Sequence, residues 1–182
     1  MTNDGNAPAG GLLYIITGDG KGKSSSAFGM VLRTLGWGGR AAVLQFCKND
    51  RETGERRFFR ELESDRLIFE SCGGGLSWEK ADHAVLAQAG WRRATEFLAG
   101  TDPACRVDLL VLDELNVALH FHWLDTAAVV AALSARRPGL HVVVTGRWAP
   151  APLLAISDLV SEIVNRKHPF EHGVSAVKGL DW

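Results

Sequence analysis

Short unbroken apolar runs alternate along this chain with stretches whose apolar residues recur every three or four positions. Runs at residues 12–16 (LLYII), 41–46 (AAVLQF), 67–70, 109–112 (LLVL), 141–145 (HVVVT) and 160–164 predict strands. Helical spacing between them predicts helices at 24–35, 52–63, 82–98, 125–136 and 152–156. In the first helix Phe28, Val31 and Leu35 fall on one face and Gly36 closes it. Asp82 and Asp125 stand where a side-chain oxygen caps the following helix. The triple glycine at 73–75 breaks the third strand and opens a loop, Pro138-Gly139 turns the chain into the fifth, and glycines punctuate the tail from Lys167. Unbroken apolar strands separated by helices predict an α/β fold, a mainly parallel sheet with helices on both faces. Residues 1–10 read as a disordered lead-in and 11–182 as a single domain without repeats or linkers.

Composition narrows the function classes. Nearly half of the 182 residues are hydrophobic, enough for a sizeable core. A formal net charge of −1 gives no footprint for nucleic acid or an anionic membrane surface. No apolar run approaches the roughly 20 residues of a membrane span. Cys47, Cys72 and Cys105 are odd in number and lack metal-ligand spacing, so reduced thiols in a cytoplasmic protein are expected, with Cys47 in the core.

The chemistry concentrates after the first strand. Thr17-Gly18-Asp19-Gly20-Lys21-Gly22-Lys23-Ser24 joins a predicted strand to a predicted helix. In that context glycines let the backbone point several N–H groups at one anion, and the helix start adds positive potential. Lys23 reaches the outer phosphates, and the Ser24 hydroxyl is a ligand for Mg²⁺. The usual first glycine of such a loop falls on Thr17, so Gly18 comes one place late. A second element, Asp113-Glu114, ends an apolar strand where a carboxylate binds Mg²⁺ directly or through water. The loop, these carboxylates and Thr145-Gly146-Arg147 all follow predicted strands, and ligands of open α/β sheets sit at strand carboxyl ends. A P-loop NTPase-like, RecA-like architecture follows.

Several stretches in order resemble the ATP:corrinoid adenosyltransferases of the cob(I)yrinic acid a,c-diamide type. They are 17–25 (TGDGKGKSS), 43–48 (VLQFCK), Gly54-Glu55, Ser77-Trp78-Glu79, 112–116 (LDELN), 144–147 (VTGR) and 167–170 (KHPF) with Gly173. The resemblance covers the chain from about residue 13 to 182. It implies that Gly18, Asp19, Gly20, Lys21, Gly22, Lys23, Ser24 and Ser25 hold ATP, with Arg33 and Arg147 as further contacts. Ser24, Asp113 and Glu114 are the Mg²⁺ set, and Lys23 and Glu114 the catalytic pair. It further implies attack of Co(I) of a reduced corrinoid on C5′ of ATP with release of triphosphate, a flavoprotein reductant and a homodimer. Leu76 and Trp78 fall in the loop that closes over the corrin, with Leu76 where the family carries phenylalanine. Simpler readings stand beside these: surface arginine for Arg33 and Arg147, packing for Trp78.

Two alternatives stand beside this reading: another P-loop small-molecule transferase or kinase, which the motif alone allows, and a non-enzymatic nucleotide- or corrinoid-binding regulator. The apolar loop at 73–79 argues against a kinase. His120 and His122 flank Phe121 but point apart if helical, so they are not read as metal ligands, and His168 reads as structural. Trp37, Trp91, Trp123 and Trp148 are expected in the core or a dimer interface.

Overall fold

The computed structural model describes residues 10–47, 53–62, 65–74 and 83–181. The expected lead-in, Gly10 excepted, falls outside these residues, as do Leu76, Trp78 and the Asp82 cap. In chain order the elements are β1 (Leu13–Thr17), α1 (Lys23–Gly36), β2 (Ala41–Gln45), α2 (Gly54–Glu61), β3 (Leu67–Ser71), α3 (His83–Ala99), β4 (Leu109–Asp113), α4 (Leu115–His120), α5 (Thr126–Ser134), β5 (His141–Thr145), α6 (Ala151–Ala155) and β6 (Leu159–Glu162). Single 3₁₀ turns occupy Pro103–Cys105 and Pro169–His172.

The six strands form one sheet in the order β3-β2-β4-β5-β1-β6, and every pairing is parallel. Alternation along each strand divides the core in two. Ile16, Val43, Val111 and Val143 face α1 and α2, meeting Ala27, Phe28, Val31, Leu35 and Phe59. Ile15, Leu44, Leu112 and Val144 face the other side, where Phe97 of α3, Leu119 of α4, Leu133 of α5 and Leu153 of α6 pack. Because both faces are covered, the inner strands read as continuous apolar runs.

Three departures have local causes. The last strand was expected at 160–164 but pairs with β1 only through Glu162. Beyond it, the Ile163 carbonyl accepts from Gly20 N–H at 2.7 Å, so the chain turns from strand partner into a support for the loop after β1. Helix α4 was not expected: its five buried residues, Leu115 to Leu119, lack an amphipathic period. Among the tryptophans, Trp91 and Trp123 pack partly buried against the core, whereas Trp37 and Trp148 are exposed. Asp125 does cap α5, accepting from the N–H groups of Ala127 and Ala128.

Candidate active site

The loop between β1 and α1 is shaped by what lies beneath it. A Cβ on Gly20 would stand 2.8 Å from both the Ile163 carbonyl oxygen and its Cγ2, so only glycine lets the loop rest on that segment. Gly22, at φ 120°, precedes α1 and brings no side chain to its N-terminus. The first N–H groups of a helix have no partner within it, so this end suits an anion. The Lys23 Nζ donates to the Gly20 carbonyl at 2.7 Å, and the side chain is almost fully buried. Burial lowers the Lys23 pKa below its ordinary value, with Glu114 the main opposing influence.

The strand ends β4 and β5 supply the other wall. Asp113 is completely buried: its Oδ1 accepts from the Thr145 hydroxyl at 2.7 Å and its Oδ2 from the Gln45 side-chain amide at 2.9 Å. The Thr145 hydroxyl in turn accepts from Glu114 N–H at 3.0 Å. Glu114 adopts the left-handed region, φ 62°, so the chain breaks from strand alternation at this residue. The Asn116 side-chain amide donates to the Gly146 carbonyl, tying the turn after β4 to the turn after β5. Arg147 follows, donating to the Asp19 carbonyl at 3.3 Å.

These groups meet in one cleft of about 450 Å³, lined by Asp19, Gly20, Lys21, Gly22, Lys23, Ser24, Ser25, Glu114 and Arg147. Three of the expected residues, Gly18, Asp113 and Arg33, do not line it; Gly18 rests against the segment after β6, where a Cβ would stand 2.5 Å from the Ile163 carbonyl oxygen. Asp113 does not line the cleft: its oxygens accept from Gln45 and Thr145, and Thr145 accepts from Glu114 N–H, so Asp113 braces the turn that carries Glu114. Arg33 lies near the far end of α1 and lines a separate pocket with Leu12, Leu109 and His141, at the amino ends of the strands. The structure therefore places it outside the phosphate cleft. Leu76 and Trp78 lie outside the described residues.

The cleft also includes Phe28, Thr53, Glu55, His168 and Asp181, none of which was expected to bind ligand; from sequence Phe28 reads as packing and His168 as structural. Gly54-Glu55 and the KHPF segment were the only available signals for two of these positions. Asp181 pairs with Lys21 at 2.6 Å, and that contact holds the Asp181 carboxyl below its ordinary pKa. A second recess, about 390 Å³ and apolar, adjoins the cleft through Ser25, Phe28 and Glu55 and is walled by Leu32, Phe58, Phe59 and Leu180. Cys47 is buried as expected, and burial pushes the Cys72 thiol up to about 11, the wrong direction for a reactive thiolate.

Residues 9–182 match the family model for ATP:corrinoid adenosyltransferase BtuR/CobO/CobP. The chain belongs to this family. A corrinoid adenosyltransferase of Pseudomonas aeruginosa is 42% identical over 175 residues, spanning 94% of this chain and 84% of the relative. The corresponding protein of a Sinorhizobium species is 38% identical over 94% of this chain and 80% of its own length. The corrinoid adenosyltransferase CobA of Salmonella typhimurium is 36% identical over 94% and 86%. Among solved structures, a KaiC-like protein of Pyrococcus horikoshii superposes with a TM-score of 0.58 at 14% identity, over 90% of this chain and 76% of that one. That likeness concerns the fold, a P-loop architecture as the sequence predicted. The adenosyltransferase reaction, transfer of the adenosyl group of ATP to a corrinoid, is thus the activity to be explained by the cleft, and nothing supports the kinase alternative.

Proposed function

We propose that the cleft at the carboxyl ends of β1, β4 and β5 grips the triphosphate of ATP and presents C5′ to Co(I) of a reduced corrinoid. The observation that carries this reading is convergence: Lys23 and Ser24, Glu114, and Arg147 follow three different strands and line one cleft. The cobalt electron pair forms the cobalt–carbon bond as the C5′–oxygen bond breaks, and the electrons of that bond leave with the triphosphate. No proton is moved, so no general base is required. Catalysis then rests on placing C5′ and on stabilising charge on the leaving group. Lys23, Lys21, Arg147 and the N–H groups at the start of α1 serve the second task, while Gly18, Asp19, Gly20, Gly22 and Ser25 shape the cradle.

The Ser24 hydroxyl and Glu114 carboxylate are hard oxygen donors in the same cleft, the type Mg²⁺ takes. Among the described residues no group of three or more His, Cys, Asp or Glu side chains gathers as a metal site, which suits an ion held mostly by phosphate and water. Ser24 and Glu114 would hold Mg²⁺, which there supplies positive charge to the departing triphosphate. Leu76 and Trp78 are assigned to the corrinoid side by resemblance. The same resemblance supports one catalytic domain over 11–182, a homodimer, a flavoprotein electron donor and a cytoplasmic setting. No helix among the described residues is long and apolar enough to cross a membrane.

The test is incubation with ATP, Mg²⁺ and chemically reduced corrinoid. A light-sensitive alkylcorrinoid and inorganic triphosphate should appear together. Lys23→Ala should lower kcat/KM by about 10²-fold or more, the scale of losing one preorganised donor to developing charge. Unchanged kinetics would remove the loop from the mechanism.

A further inference from the structure

The segment after β6 also borders the phosphate cleft, through His168 and Asp181. Its histidine has a defined hydrogen-bond state. His168 Nδ1 accepts the Phe170 N–H at 3.2 Å and so caps the 3₁₀ turn Pro169–His172. A ring nitrogen that accepts carries no proton, so the neutral ring bears its proton on Nε2. The residue is half-buried and is among those lining the cleft, and its second polar atom is a donor.

The neighbouring cations each have a protein partner already. Lys21 pairs with Asp181, Lys23 donates to the Gly20 carbonyl, and Arg147 donates to the Asp19 carbonyl. A neutral N–H donor adds a bond to phosphate without drawing another carboxylate into the cleft, where a carboxylate would repel the ligand. We propose that His168 contacts the substrate directly, donating Nε2–H to a phosphate oxygen of the bound triphosphate and keeping that bond as charge grows on the leaving group. The proposal rests on the reading of the cleft as the triphosphate site.

Asparagine and glutamine separate the two nitrogens of the ring. His168→Asn offers an oxygen where Nδ1 accepts, preserving the cap, while its short amide falls short of Nε2. His168→Gln extends an amide toward the Nε2 position and gives up the cap. Binding of inorganic tripolyphosphate is measured by calorimetry for the unaltered enzyme, both variants and Lys23→Ala, together with kcat and KM for adenosyl transfer. His168→Asn should weaken tripolyphosphate binding and lower kcat/KM by about tenfold, the low end for a hydrogen bond to a charged group. His168→Gln should recover part of that loss. If Lys23→Ala binds weakly but His168→Asn stays within twofold of the unaltered enzyme, His168 is only a cap and the proposal is wrong. If Lys23→Ala also binds normally, the reading of the cleft fails first. Should His168→Asn melt early, unaltered enzyme carrying ¹⁵N-labelled histidine decides: a shifted His168 Nε2 signal on adding tripolyphosphate supports the contact, and an unmoved one overturns it.

Discussion

Asp113 and Glu114 are neighbours of the same chemical type with opposite fates. Strand geometry sends Asp113 inward to Gln45 and Thr145, and the left-handed turn at Glu114 frees the next side chain to line the cleft. Substitution should separate these tasks. Asp113→Asn exchanges an acceptor for a donor facing the Thr145 hydroxyl and Gln45 amide. One buried polar group is then mispaired, at a cost of about 1–3 kcal/mol. Its melting temperature should fall, with activity declining as Glu114 loses its brace. Glu114→Gln keeps the shape and leaves the melting temperature nearly unchanged, while adenosyl transfer and its response to added Mg²⁺ collapse. Equal melting temperatures combined with equal activities in the two variants would refute this division of labour.

At the scale of elements, the phosphate loop and the end of β6 form one unit. Gly20 both donates its N–H to the Ile163 carbonyl and leaves no room above it for a Cβ. Gly20→Ala should therefore lift the loop off its support and weaken ATP binding by at least tenfold while circular dichroism stays native. The sheet core does not pass through that contact, so the damage is local. Normal ATP affinity in this variant would show that the loop holds its shape without β6. The same contact explains why a strand expected to continue through residue 164 stops at Glu162: the Ile163 carbonyl is taken by the loop.

Across the whole molecule, the order β3-β2-β4-β5-β1-β6 makes β4, β5 and β1 neighbours, and their carboxyl ends bring together three segments that are far apart in sequence. The tail then returns to the same place, where Asp181 bonds Lys21 and accepts Val177 N–H at 2.7 Å. Asp181→Asn keeps the latter bond and removes a negative charge from an anion site. Tripolyphosphate should bind about two- to fivefold more tightly, the scale of an exposed ion-pair effect, and product inhibition should strengthen accordingly. Weaker binding instead would mean that Asp181 serves by holding Lys21 in place. The sequence by itself determined the α/β class, the six strands, the strand–loop–helix context of Lys23 and Ser24, and the family resemblance, because these depend on short-range period and spacing. Tertiary structure decided that Asp113 is buried, that Arg33 lies at the far end of α1, and that His168 and Asp181 join the cleft. Those outcomes depend on strand order and on which way a side chain faces at a turn, and neither is set by the residues next to it in the chain.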